Sequence, residues 1–217
     1  TKYAVLVRDP NLVMYELEKA YYIMKRGRMG SVVVDIPINI QRTAVNPNTM
    51  KHFFGSKEHA KMQKEDQKFS KSIPTTKINK FENLLKKSKA PLVLVGNGVR
   101  LSNTDKELAQ FVLSNNLPVV SSLMGIDSYQ HPKLYVGYIG SNGNRHANIA
   151  FANADLIIAL GTRLDIRQTG DVKFFNPRAT VVHVDIDESS INYAIKSKLS
   201  FETDLKTFFK AVKHIKT

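Results

Sequence analysis

Apolar residues recur along this chain in two rhythms, and the change from one to the other marks the elements. The run Ala4–Arg8 (AVLVR) predicts a short strand. Asp9 then offers an N-cap oxygen, and Pro10 suits the first helical position, where its missing N–H costs nothing. Val13, Leu17, Ala20, Tyr21 and Met24 follow at helical spacing and predict a buried stripe, with Gly27 as a left-handed stop. SVVVDI (31–36) is apolar almost throughout, which predicts a strand covered on both faces as in a parallel sheet, ended by Pro37. This βαβ piece is too small to bury a core of its own and reads as the tail of a domain.

Residues 38–75 show little periodicity, contain Pro47 and Pro74, and are rich in Lys, Gln and Asn. They read as a long surface-running connection with one helix near 56–70, a length more natural between two domains than inside one. From residue 76 the signal strengthens. Ile78, Phe81, Leu84 and Leu85 mark a helix capped near Thr75 or Thr76, and PLVLVG (91–96) a strand. Thr104-x-x-Glu107 is a capping-box pattern opening a helix that buries Leu108, Phe111 and Val112. PVVSS (118–122), LYVGYIG (134–140), a helix at 144–153, DLIIAL (155–160), TVVHVDI (180–186), a helix from about 188, and a last helix with Leu205, Phe208, Phe209, Val212 and Ile215 on one side complete the series. Short apolar strands alternating with amphipathic helices predict an open parallel α/β sheet with helices on both faces, Rossmann-like, and right-handed crossovers. The division expected is 1–40 as the end of one domain, 41–75 as a basic linker and 76–217 as a second domain.

Composition narrows the chemistry. With no Cys among 217 residues, disulfide frameworks and thiolate metal sites are excluded, and the six histidines show no metal-ligand spacing. No apolar run approaches the roughly 18 residues of a membrane span, and the N-terminus lacks a signal-peptide pattern, so a cytoplasmic protein without a membrane partner is expected. The chain does not begin with Met and reads as part of a longer product. The formal charge of +13 suggests nucleic acid at first, but its distribution argues otherwise: +2 over 1–40, +8 over 41–89 and +3 over 90–217. In the middle stretch the lysines recur singly among Gln, Ser and Asn rather than in dense, aromatic-interleaved clusters, as on a solvated face. No nucleic-acid partner is expected.

Open α/β sheets bind ligands beyond the carboxyl ends of their strands. Gly96-Asn97-Gly98 follows the 91–96 strand and lets backbone come close to a ligand. The third glycine of a dinucleotide fingerprint would fall at Leu101, and no acidic residue lies about twenty positions later, which disfavours a standard NAD site. Gly140-Ser141-Asn142-Gly143-Asn144-Arg145 leads into a helix as an anion cradle or a glycine-rich turn. Gly161-Thr162-Arg163-Leu164-Asp165-Ile166-Arg167 places two arginines at a strand end, able to hold phosphates, with Asp165 orienting one of them; a structural ion-pair network is the alternative. Asp187 reads as a helix N-cap, and Asp185 as an acceptor for a ribose or amide donor.

Taken together, these segments resemble the thiamine-diphosphate-dependent enzymes. GRMGSVVVDIP (27–37) looks like the end of their pyrimidine-binding domain, and PLVLVGNGV (91–99), SSLMGID (121–127), GYIGSNGNRHAN (137–148), ADLIIALGTRLDIRQTG (154–170) and VVHVDID (181–187) follow in the order of their central domain. The likeness is nearest to acetolactate synthase large subunits, where the fifth segment reads G-x-RFDDRVTG. The resemblance implies a parent that decarboxylates a 2-oxo acid such as pyruvate and joins the product to a second carbonyl, using thiamine diphosphate and Mg²⁺, as a homo-oligomer (dimer or tetramer). It implies that this part, lacking both the early glutamate and the GDG motif that hold that cofactor, neither binds it nor turns over alone. In acetolactate synthases the central domain holds FAD in a non-redox role, which carries over by motif to Gly96, Gly98, Leu123, Gly140, Gly161, Arg163, Asp165, Arg167 and Asp185; relatives of the same fold hold ADP or no nucleotide. The sequence departs from that pattern at Ser141-Asn142, where the usual form is Met-His, and at Ile166 in place of the second Asp of FDDR. The alternative reading is a stand-alone, non-catalytic nucleotide-binding module.

Overall fold

The computed structural model describes residues 1–129 and 131–217, with no side-chain description at Lys68 and Ser70. The chain divides into two compact units, Thr1–Lys68 and Phe69–Thr217.

In the first unit, β1 (Tyr3–Leu6) pairs in parallel with β2 (Val32–Asp35) across helix α1 (Val13–Lys25). Asp9 caps as expected, accepting from Asn11 N at 2.9 Å, but the first turn is 3₁₀, over Pro10–Leu12. Two expectations fail here. Both strands alternate between partly buried and exposed positions, with Val33 half exposed, so this sheet is covered on one face only. On α1 the buried residues are Ala20 and Ile23, whereas Leu17 and Tyr21 are exposed. Phe53 covers a different side of this helix: it is fully buried, with the rings of Tyr15 and Tyr22 each 5.6 Å away. The Glu18 carboxylate, from the same helix, accepts from Phe53 N at 2.8 Å. The short α2 (Ile38–Gln41) follows β2, and α3 (Lys57–Asp66) opens at Ser56, whose hydroxyl accepts from His59 N at 3.1 Å.

The second unit is a six-stranded, all-parallel sheet. Its strands are β3 (Pro91–Val95), β4 (Val119–Ser121), β5 (Tyr135–Tyr138), β6 (Leu156–Leu160), β7 (Thr180–Asp185) and β8 (Leu199–Glu202), in spatial order β5-β4-β3-β6-β7-β8. The helices are α4 (Thr75–Lys87), α5 (Asn97–Leu101), α6 (Asp105–Ser114), α7 (Arg145–Asn153), α8 (Ile166–Thr169) and α9 (Leu205–Val212). The period of two along each strand splits the core. Val93, Val95, Ile158, Val182 and Val184 join Ile78, Phe81, Leu108, Phe208 and Phe209 from α4, α6 and α9 in one cluster. Leu92, Leu94, Ile157, Ala159 and Val181 join Ala147 and Phe151 of α7 in the other. Helices therefore cover both faces, as the apolar runs required.

Three local expectations are corrected. The helix expected from about 188 is a 3₁₀ turn, Glu188–Ser190: Asp187 caps it, accepting from Ser189 N at 3.0 Å, and Asn192 at φ +60° turns the chain away. The chain then returns as β8, which pairs in parallel with β7 from Val182↔Leu199 to Asp185↔Glu202. Thr104 sits at the N-cap of α6, but its hydroxyl makes no cap; it donates to Val99 O at 3.3 Å. At α4 the N-cap position is Pro74, and neither Thr75 nor Thr76 precedes the helix. Among the described residues no helix is long and apolar enough to cross a membrane.

Candidate functional site at the switch point of the sheet

From β3 the chain builds outward through β4 to β5; it then returns beside β3 as β6 and builds the other way through β7 to β8. The crevice between the carboxyl ends of β3 and β6 is thus the topological switch point, the place where such sheets take ligands. Its floor is backbone. Gly96 N donates to Leu160 O at 2.9 Å, Gly98 N to Gly161 O at 3.0 Å and Gly161 N to Val184 O at 2.9 Å. A Cβ on Gly98 would stand 2.6 Å from Gly161 Cα, and one on Gly96 would stand 2.2 Å from Gly161 O. These glycines are needed first because two turns touch main chain to main chain. Gly161, at φ +58°, also needs glycine for its conformation.

The walls come from the neighbouring strand ends. After β4, Leu123 and Met124 stand 62% and 63% exposed, large apolar side chains beside the crevice, on a 3₁₀ segment whose Gly125 lies against Val95 O and Gly96. After β5, the Gly140–Arg145 loop is tied to α7 by a reciprocal amide pair, Gly140 N to Asn148 Oδ1 and Asn148 Nδ2 to Gly140 O, both 3.0 Å. It also reaches the β6 loop, where Ser141 N donates to Arg167 O at 3.2 Å. Gly140, Ser141, Asn148, Gln168 and Phe174 line part of a groove of about 590 Å³.

The structure separates the charged candidates. Arg163 and Arg167 are both exposed, and among the described residues neither forms an ion pair, so the ion-pair network alternative is not what holds this loop. Asp165 does not orient either guanidinium: its carboxylate caps α8, accepting from Arg167 N at 3.0 Å. Asp185 is buried at the end of β7 and accepts from Asp187 N at 2.9 Å. Gly96, Gly98 and Gly161 meet at one end of the sheet; Arg163, Asp165 and Arg167 follow on the loop after β6, which the Gly140 loop reaches through Ser141 N, while Leu123 stands on the turn after β4 and Asp185 ends β7.

Two participants were not singled out by sequence reasoning. Thr162 is buried and donates its hydroxyl to Gln168 Oε1 at 2.8 Å, and the Thr162 carbonyl lies 2.8 Å from Nε2 of the fully buried His183. Burial pushes the His183 imidazole below its ordinary pKa, with the Thr162 carbonyl and Asp185 opposing. A polar residue inside TVVHVDI was the available signal. Among the described residues no cluster of His, Asp and Glu could hold a metal ion.

Residues 78–212 match the family model of the thiamine pyrophosphate enzyme central domain. The chain is 34% identical over 211 residues to the acetolactate synthase large subunit of Cyanidium caldarium, covering 96% of this chain and 35% of that protein. It is 35% identical over 194 residues to the acetolactate synthase large subunit of Haemophilus influenzae, covering 88% and 32%. To the chloroplastic acetolactate synthase of Arabidopsis thaliana it is 33% identical over 192 residues, covering 88% and 27%. The chain spans about a third of the length of these relatives. Thiamine pyrophosphate is another name for thiamine diphosphate, and this chain belongs to the thiamine pyrophosphate enzymes, of which it carries the central domain.

Proposed function

We propose that this chain is the central-domain portion of an acetolactate-synthase-type enzyme and that the crevice between β3 and β6 holds the diphosphate of an extended nucleotide cofactor, FAD. The observation that carries the reading is the conjunction at the switch point: closely packed glycine backbone near two exposed arginines that, among the described residues, no carboxylate neutralises. A diphosphate there meets two guanidinium groups with paired donors, and the exposed Leu123 and Met124 offer apolar surface to a ring system. Ser141-Asn142 and Ile166 alter the loops around that surface, so ADP is the competing ligand.

The parent reaction in this reading is decarboxylation of a 2-oxo acid followed by addition to a second carbonyl, in a cytoplasmic homo-oligomer. Thiamine diphosphate with Mg²⁺ supplies the carbanion chemistry when bound elsewhere in the parent. No residue of this chain is assigned a proton-transfer role; its residues hold the nucleotide and the scaffold. Purified chain mixed with FAD and desalted should retain a flavin spectrum, ADP should compete with it, and the double variant R163A/R167A should lose it. Folded chain that retains no flavin and binds no ADP refutes the nucleotide reading.

A further inference from the structure

The residue that distinguishes this crevice from a plain turn lies beneath it. His183 occupies the middle of β7, opposite Ala159 of β6 and Ser200 of β8, and is wholly buried. Its Nε2 is 2.8 Å from the Thr162 carbonyl oxygen, which can only accept, so Nε2 carries the hydrogen. Its Nδ1 is buried and has no partner among the described residues. A proton on Nδ1 would find no acceptor, so one neutral tautomer is selected. Packing does not explain this choice, because an aliphatic residue would fill β7 without burying a bare nitrogen.

The Thr162 carbonyl needs such a donor. It lies where the chain leaves β6, between Gly161 at φ +58° and Leu164 at φ +54°, two left-handed residues that take the turn out of the sheet ladder. Main-chain bonds also tie the turn to its neighbours: Gly161 N to Val184 O, Gly98 N to Gly161 O and Ser141 N to Arg167 O. His183 adds a side-chain tie from the sheet. Through the Thr162 hydroxyl, at 2.8 Å from Gln168, the restraint extends to the far end of the loop that bears Arg163 and Arg167.

We propose that His183 is a positioning residue: neutral, with its proton on Nε2, it pins the Thr162 carbonyl and so fixes the loop that presents the two arginines to a diphosphate. The ligand half of this inference rests on the nucleotide reading above; the loop half does not. The test uses the whole chain and two variants. H183L removes the donor, and H183Q restores an N–H at the position of Nε2.

Amide hydrogen exchange is read at residues 162–169 and, as a core reference, at Leu94 and Ile158; FAD affinity is read by flavin fluorescence. The expected result is exchange at least tenfold faster at 162–169 in H183L with the reference amides unchanged, FAD affinity reduced at least tenfold, and H183Q within threefold of the unsubstituted chain on both. Exchange that rises equally across the sheet, or does not rise in the loop, overturns the proposal. Faster loop exchange with unchanged FAD affinity overturns the claim that the restraint serves the ligand. Failure of the unsubstituted chain to bind FAD refutes the nucleotide reading and leaves the exchange comparison to decide the role of His183.

Discussion

Replacing Gly161 with Ala tests whether the switch point is built on main-chain contact. At φ +58° an added Cβ costs about 1–2 kcal/mol through left-handed strain alone. It would also stand 2.6 Å from Gly98 Cα, well inside the ordinary carbon contact of roughly 3.5–4.0 Å. The obstructing atoms are backbone and cannot rotate aside, so overpacking adds about 1–3 kcal/mol. Restriction of the unfolded chain returns about 0.4–1 kcal/mol, leaving a net loss of about 1–5 kcal/mol, about 3 at mid-range. Gly170→Ala is the control: φ +68° with ψ −157° is a glycine region that costs another residue about 1–3 kcal/mol, but nothing lies within 4 Å of the added Cβ, so after the same unfolded-state gain about 0–2.5 kcal/mol remains. Urea denaturation followed by circular dichroism separates the two. With a mid-range slope of about 2 kcal/mol per molar urea, the mid-range loss should lower the midpoint by about 1.5 M for Gly161→Ala, more than for Gly170→Ala. Equal or reversed shifts would refute the argument that Gly161 and Gly98 are glycine because their backbones touch.

Other parts of the fold carry their own tests. Phe208→Ala empties a fully buried site whose ring lies 5.5 Å from that of Phe81 and 5.3 Å from that of Phe201, and should cost about 3–5 kcal/mol by the same denaturation assay. Burial of Asp155 opposes its ionisation, but hydrogen bonds from Ser88, Lys89 N and Ala90 N outweigh it and hold the carboxyl below the usual range. Asp155→Asn should therefore lose about 1–3 kcal/mol near neutral pH, a difference that persists above the unfolded-state pKa of roughly 3.9 and closes as pH falls through the lower folded value, measured by urea midpoints across pH. For His183 the folded pKa is lowered, so the unfolded chain binds the extra proton: its contribution is full above about pH 6.5 and declines below, with a slope of up to about 1.4 kcal/mol per pH unit. H183Q should flatten that acid-side slope; an unchanged slope would show that His183 is not the titrating group.

The sheet was legible because its strands are buried on both faces by helices of strong period, as in PLVLV and LIIAL, where burial selects sequence directly. The helix expected after 188 was misread because LSFE is a short edge strand, half of it only partly buried, and its pairing with β7 is a long-range fact that no local pattern encodes. The packing of α1 was misjudged for a similar reason: Phe53, far along the chain in a stretch with little periodicity, packs on Tyr15 and Tyr22, a side of the helix outside the expected stripe. At the candidate site, strand-end logic located the glycines and arginines. It assigned the glycines to ligand approach, whereas their first requirement is contact between turns, and it gave Asp165 an orienting role that the capping bond to Arg167 N already occupies. The Thr162–His183 bond was out of reach because it joins residues 21 positions apart through a carbonyl, a group every residue has.

The central claim is that the end of the β3–β6 crevice receives a nucleotide diphosphate, and a map of amide shifts on adding FAD to the isotope-labelled chain tests it most directly. The account predicts saturable shifts concentrated at Gly96–Gly98, Leu123–Gly125, Gly140–Ser141, Gly161–Arg167 and Asp185, with the amides of α9 unmoved. Shifts centred elsewhere, or none at ligand excess on a folded chain, would contradict it.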